Sequence, residues 1–99
     1  MRPFDAQDLD EVIHGRMRLG IMAYLSQASP AAFTELAQAL NATNGNLSVH
    51  ITKLEAAGYV RTEKARAKGR GLTTVILTKA GEAAWAAYLA TLRGLLGDD

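Results

Sequence analysis

Apolar side chains recur at helical spacing near the start of the chain and predict helix over about residues 8–27. His14 and Gly15 interrupt this pattern, and glycine weakens a helix interior by about 1 kcal/mol. We therefore expect two helical pieces with a break at this pair. Pro30 follows the segment and marks a turn.

Two shorter helices are predicted within about residues 34–58. Thr34 is a candidate N-cap for the first, and Thr43 or Asn44 is a candidate N-cap for the second. Gly58 follows the second helix at the position where a left-handed backbone favours glycine. Two helices joined by about three residues form a helix-turn-helix arrangement.

The hydrophobic pattern then changes to the alternation and β-branched runs of strands. It predicts a hairpin over about residues 59–78 with its turn at 68–71. Thr78 is a candidate N-cap for a last, long helix over about residues 79–96. We expect these elements to form a single domain spanning the 99 residues.

The composition is typical of a folded protein, with 48% hydrophobic and 21% charged residues. The chain has no cysteine, which excludes disulfides and thiolate metal sites and suits a reducing compartment. No stretch reaches the roughly 18 apolar residues of a membrane helix, and no signal peptide is recognisable. We therefore expect a cytoplasmic protein that does not contact a membrane.

Positive charge is concentrated in the predicted hairpin. Residues 59–79 carry six cations and one acid, whereas the formal net charge of the whole chain is only +1. Four of these cations stand at every second position: Lys64, Arg66, Lys68 and Arg70. Because a strand directs alternate side chains to one face, we expect the four to share a face suited to nucleic-acid phosphates.

The helix predicted after Thr43 has two unlike faces. Leu47, Ile51 and Leu54 form an apolar face that would anchor it. The opposite face is small and polar, with a single cation: Gly45, Asn46, Val49, Thr52, Lys53 and Ala56. Asparagine can bind adenine, valine can contact a thymine methyl, and threonine and lysine can reach bases or phosphates. An ordinary surface helix could look the same, but beside a cationic hairpin this face favours binding to double-stranded DNA.

Catalysis and metal binding are not expected. The two histidines, His14 and His50, are fewer than the three or four ligands of a usual metal site, and we expect His50 to be a hydrogen-bonded structural residue. The serines have no evident base partner, and no phosphate-binding glycine motif is present. We therefore predict no enzymatic activity, metal or cofactor.

The apolar stripes of the first and last helices are larger than one small core requires. These stripes could simply cover the core, but we favour a symmetric homodimer built from the two terminal helices. The predicted interface consists of Leu9, Val12, Ile13, Trp85, Tyr88, Leu89, Leu92, Leu95 and Leu96.

Several runs of the chain resemble a known family over about residues 8–93. The runs are Ile13-His14-Gly15-Arg16-Met17-Arg18-Leu19-Gly20-Ile21-Met22, Thr43-Asn44-Gly45-Asn46-Leu47-Ser48-Val49-His50, Lys53-Leu54-Glu55-Ala56-Ala57-Gly58-Tyr59-Val60 and Leu77-Thr78-Lys79-Ala80-Gly81. The chain resembles small winged-helix transcriptional regulators related to the MarR and ArsR families. This resemblance implies an α+β fold, mainly α: a winged helix-turn-helix with a two-stranded wing and a long C-terminal helix.

The resemblance also implies a function and a set of DNA contacts. It implies a homodimeric transcriptional regulator of a near-palindromic operator, and we predict that it acts as a repressor. Its groove-facing positions fall on Asn44, Gly45, Asn46, Ser48, Val49 and Lys53, and its wing cations on Arg66, Lys68 and Arg70. Many relatives have a charged residue in place of Val49, so we expect a different base preference here.

Two alternatives to an operator-binding regulator remain open at this level. The same fold could serve as a protein–protein interaction module without an operator of its own. A small-molecule or protein effector could also act on the regulator, and the sequence does not identify one.

Overall fold

The computed structural model describes residues 9–67 and 69–97, and it confirms the predicted order of helices and hairpin. The elements are α1 (Arg16–Ala28), β1 (Ala31–Ala32), α2 (Phe33–Ala39), α3 (Asn44–Ala56), β2 (Val60–Ala67), β3 (Arg70–Leu77) and α4 (Lys79–Leu95). The helices surround one core, and the hairpin of β2 and β3 extends from it.

The first helix begins at Arg16, so the predicted helical piece before the break is wrong. A turn stands in its place, because the Asp10 carboxylate accepts hydrogen bonds from the backbone N–H groups of Val12 (2.8 Å) and Ile13 (3.3 Å). Such side-chain bonds to nearby backbone compete with helix formation. The break at Gly15 is confirmed, since its backbone is extended and immediately precedes α1.

Helix α2 begins two residues before the position that a cap at Thr34 would set. Ala32 is the N-cap rather than Thr34, which lies inside the helix. The Glu35 carboxylate accepts a hydrogen bond from the Ala32 backbone N–H at 3.4 Å, which satisfies a donor at the start of the helix.

The caps predicted for α3 are confirmed. The Thr43 hydroxyl accepts a hydrogen bond from the Asn46 backbone N–H at 3.1 Å. At the other end Gly58 has a φ of 83°, the left-handed conformation in which glycine pays no steric penalty. In the turn between α2 and α3, Asn41 has a φ of 53°, and asparagine tolerates this region better than most residues.

Strand pairing in the hairpin extends closer to the tip than the sequence predicted. Backbone pairing runs without a break from Val60–Leu77 to Ala67–Arg70, which leaves a two-residue connection in place of the turn predicted over 68–71. Strand β3 is central and pairs antiparallel with both neighbours. Strand β1, which pairs with the base of β3, was not predicted because two residues are too few to show an alternating pattern.

The core lies between α1, α2, α3 and the base of the sheet. Its fully buried side chains are Ile13, Ile21, Met22, Leu25, Leu36, Leu47, Leu54, Val60 and Val75. Burial of each such side chain stabilises the folded state by about 1.5–3 kcal/mol relative to leaving it exposed.

Two residues predicted for the dimer interface lie inside this core instead. Ile13 is 0% exposed and Tyr88 is 3% exposed. The Tyr88 hydroxyl lies 3.0 Å from Nδ1 of His14, and this contact holds the middle of α4 against the chain's own N-terminal turn. Within α4, the Tyr88 ring stacks on Trp85. Four other α4 candidates, Trp85, Leu89, Leu92 and Leu95, are partly exposed, and Leu96 is 73% exposed.

The start of α4 packs very closely on the chain just after α3. The Thr78 hydroxyl accepts a hydrogen bond from the Gly81 N–H at 2.9 Å, as expected of an N-cap. A Cβ at Gly81 would lie 2.7 Å from Leu77 Cδ1 and 2.9 Å from the carbonyl carbon of Tyr59. Glycine is therefore required here by space rather than by backbone conformation.

We predict that Gly81→Ala lowers the free energy of unfolding by about 1–3 kcal/mol, because the new methyl group must displace backbone. Gly45→Ala is the matched control, since a Cβ there meets nothing within 4 Å and alanine favours helix by about 0.5–1 kcal/mol. Urea unfolding of the two variants measures both effects. Equal stabilities for the two variants would contradict the packing described for α4.

Candidate nucleic-acid interface

Helix α3 is anchored on one side and exposed on the other. Leu47, Ile51 and Leu54 are buried in the core. Every α3 side chain predicted to face DNA is exposed, together with Gly45: Asn44, Asn46, Ser48, Val49, Thr52 and Lys53. The helix is thus held through one face while the opposite face is free to enter a groove.

The hairpin lies beside this exposed face. A cleft of about 300 Å³ separates α3 from the hairpin, and it is lined by Phe33, Ser48, Ile51, Thr52, Glu55, Thr62, Lys64 and Thr73. Ser48 and Thr52 of α3 thus border the same cleft as Lys64 of β2. The predicted DNA-facing positions Ser48 and Thr52 and the cationic strand are therefore on one side of the molecule.

Glu55 connects the two elements directly. Its carboxylate accepts hydrogen bonds from the Thr62 backbone N–H at 3.3 Å and from the Thr62 hydroxyl at 3.0 Å. Neither Glu55 nor Phe33 was among the predicted site residues. No local signal identifies the Glu55–Thr62 pair, because it forms only after the chain reverses at Gly58.

The described cations of β2 follow the predicted alternation only in part. Lys64 and Arg66 are both exposed and two residues apart, so they lie on the same face of the strand. Arg70 belongs to β3, and its backbone pairs with Ala67 rather than with Arg66, so the expectation that the four cations share one face is wrong for Arg70. The tight turn is the reason, and Lys68 lies outside the described residues.

The opposite face of β2 carries a compensated pair of charges. Arg61 and Glu63 are one position out of step with Lys64 and Arg66, and they form a salt bridge of 2.7 Å. Both side chains are well exposed, so this pair adds little stability. The salt bridge pairs Glu63, the one acidic residue of the hairpin, on the face opposite Lys64 and Arg66.

His50 lies where α3 meets α1, and its predicted hydrogen bond is confirmed. Its Nδ1 lies 3.2 Å from a guanidinium nitrogen of Arg18, and Nε of Arg18 donates to the Val12 carbonyl at 2.6 Å. Partial burial, together with the positive charges of Arg18 and Lys53, lowers the pKa of His50 below its usual 6.5. Within residues 9–67 and 69–97, no group of three or more histidine, aspartate or glutamate residues could hold a metal ion.

No helix within residues 9–67 and 69–97 combines the length and the hydropathy that a bilayer crossing requires.

Comparison with known proteins identifies the family. The family model described as a winged helix DNA-binding domain matches residues 17–96. The chain belongs to this family of DNA-binding winged-helix transcriptional regulators. An uncharacterized protein of Methanocaldococcus jannaschii is 35% identical over 79 residues, which is 80% of this chain and 86% of that protein.

Solved structures agree with this assignment. A transcriptional regulator homologue from Pyrococcus horikoshii OT3 is similar with a TM-score of 0.84 and 33% identity, over 89% of this chain and 87% of that one. A protein described as a MarR family regulator from Enterococcus faecalis V583 is similar with a TM-score of 0.73 and 26% identity, over 87% of this chain and 76% of that one. An ArsR family regulator is similar with a TM-score of 0.61 and 25% identity, over 90% of this chain and 87% of that one. These structures confirm the resemblance to MarR and ArsR regulators, and the relatives described by function are regulators rather than enzymes.

We predict that the free energy of unfolding decreases as pH falls below about 6.5, because the unfolded chain protonates His50 more readily than the folded chain does. The His50 contribution is fully present above this pH and is lost as pH falls toward the lowered pKa of the folded state. Urea unfolding at pH 7.5 and pH 5.5 measures it.

The His50→Gln variant should show a smaller pH dependence than the wild type. His14→Gln is its matched control, since it also removes an imidazole but retains the His50–Arg18 contact. An unchanged pH dependence in His50→Gln would refute the prediction.

Proposed function

We propose that this chain is a homodimeric transcriptional repressor that binds a near-palindromic operator. The observation that supports this most directly is the cleft in which the exposed polar face of α3 adjoins the cationic face of β2. A duplex carries closely spaced negative charge on its backbone and hydrogen-bonding groups in its grooves. The two elements match these two features from one side of the protein.

In this proposal α3 occupies the major groove. Asn46, Val49 and Lys53 contact base edges and provide sequence preference, while neighbouring exposed side chains such as Asn44, Ser48 and Thr52 contact bases or the backbone. The absence of bulky side chains at Gly45 and Ser48 lets the helix approach the base edges closely.

The hairpin supplies affinity that does not depend on sequence. Lys64 and Arg66 lie on the face that borders α3, and each cation that meets a phosphate releases counterions from the duplex. The sequence adds Lys68 and Arg70 to the proposed set of phosphate contacts. The Glu55–Thr62 hydrogen bonds support the role by holding the base of β2 against α3.

The proposed dimer uses the terminal segments of the chain. Leu96, exposed at the end of α4, and the partly exposed Leu92 and Leu95 form an apolar end of that helix, and Leu9 and Val12 lie on the N-terminal turn. Ile13 and Tyr88 are left out because the chain buries them itself. Two-fold symmetry would place two α3 helices about one DNA turn apart, which is why the proposed operator is near-palindromic.

Selection of bound sites from a pool of random duplexes tests the proposed function. We expect the full chain to enrich a sequence with two inverted half-sites whose centres are about 10 base pairs apart. Failure to retain any duplex at low salt would overturn the proposal and favour a protein-interaction module. A repressor should also reduce transcription in vitro from a promoter that contains the selected site, whereas activation would contradict that role.

We predict that neutralising Arg66, Lys68 and Arg70 together weakens binding to all duplexes and lowers the salt dependence by about 0.9 per lost phosphate contact. Arg61→Gln is the matched control, because Arg61 is paired with Glu63 on the other face and should change the salt slope much less. Binding titrations at several salt concentrations provide the measurement.

Asn46→Ala should behave differently from the hairpin variant in which Arg66, Lys68 and Arg70 are neutralised. Because Asn46 is proposed to contact a base, its loss should reduce discrimination between the selected site and random duplex, with little change in salt slope. If the hairpin variant and Asn46→Ala both lost only discrimination between the selected site and random duplex, the role proposed for the hairpin would be wrong.

We predict that light scattering gives twice the 10.6 kDa mass of one chain at micromolar concentration. Leu96→Lys should shift the mass toward that of one chain, because it places a charge in the proposed interface. Leu72→Lys is the matched control, since Leu72 is an exposed leucine on the hairpin, away from α4. A single-chain mass for the wild type at low salt would overturn the dimer.

A further inference from the structure

Three large apolar side chains are notably exposed in the part of the chain that the structure describes: Val49 at 53%, Leu72 at 46% and Leu96 at 73%. Leu96 belongs to the proposed dimer surface, and Leu72 lies on the outer side of the hairpin, opposite Ala65. Val49 differs from both because it lies on the exposed face of α3. Core packing does not account for it, since the apolar face of that helix is already buried.

The surroundings of Val49 are polar on every side along the helix. Gly45 and Asn46 precede it by about one turn, Thr52 and Lys53 follow it by about one turn, and all four positions are exposed. A lone apolar side chain in the middle of a polar face exposes hydrocarbon to water without benefit in the free protein. Valine is also stiff at χ1, so ordering it against a partner costs little entropy.

The major groove of DNA offers a specific apolar partner, the 5-methyl group of thymine. The other groups on the base edges in that groove are hydrogen-bond donors and acceptors, which valine cannot satisfy. We propose that Val49 recognises one thymine in each operator half-site through contact with its methyl group. This inference rests on the proposed function, in which α3 enters the major groove.

The contact has an expected size. Burying one methyl group against an apolar surface changes an equilibrium constant by about fourfold. Cytosine in place of thymine should be worse than the loss of the methyl alone, because it would place an N4 amino donor against a side chain that cannot accept a hydrogen bond.

The experiment uses the full chain and the duplex obtained by selection from the random pool. In a series of synthetic duplexes, each thymine is replaced in turn by deoxyuridine, which removes the methyl group and leaves base pairing and hydrogen-bonding groups unchanged. We expect one position in each half-site at which deoxyuridine weakens wild-type binding by about fourfold.

Val49→Ala provides the second arm of a double-mutant cycle. This variant should show a smaller preference for the thymine duplex over the deoxyuridine duplex at that position, because the two γ-methyl groups that would contact the thymine methyl have been removed. Leu72→Ala is the matched control, since it truncates an exposed apolar side chain of similar exposure and should retain the fourfold preference. Circular dichroism serves to check that both variants fold, and we expect that they do because both positions are exposed.

Each outcome bears on one proposal or the other. Failure of the wild type to bind any duplex counts against the proposed function, and against this inference with it. If the wild type binds a selected site but shows no effect of deoxyuridine at any position, or if that site contains no thymine, only the role of Val49 is overturned. The same holds if Val49→Ala retains the full preference for thymine.

Discussion

Burial of the apolar face of α3 is the constraint on which the candidate interface depends. Leu47, Ile51 and Leu54 are packed in the core, and together they determine how the helix is rotated about its own axis. Burial of each stabilises the folded state by about 1.5–3 kcal/mol. A rotation of the helix that exposed all three would lose this stabilisation. The positions exposed to solvent are therefore a direct consequence of the positions that are buried, and Val49 is exposed for the same reason that Leu47 is not.

The place of the hairpin follows from the end of α3. Gly58 reverses the chain, and backbone hydrogen bonds join Tyr59 to Leu54 at 3.0 Å and Thr78 to Tyr59 at 3.0 Å. Gly81 then lets α4 approach the same segment closely. Because these contacts converge just after α3, the wing and the last helix both take their positions from the helix proposed to read DNA.

Elements with a long periodic pattern were predictable from sequence, and so were the caps at Thr43, Thr78 and Gly58. Errors arose where a few residues were decided by contacts distant in sequence or by a single side chain. The N-terminal turn depends on the Asp10 carboxylate, and β1 exists because β3 offers it a partner. Hydrophobic periodicity does not distinguish a side chain that covers its own core from one that meets a partner, and Ile13 was assigned wrongly for that reason.

The sequence by itself determined the helix-turn-helix, the two faces of α3 and the concentration of cations in a hairpin, because local spacing is sufficient to specify each of these. Only the tertiary structure decided that α3 and β2 border one cleft and that Glu55 joins them. It also separated Arg70 from the cations of β2, since strand register depends on where the turn falls. Relations of this kind are set by packing between elements, and no local pattern of residues encodes them.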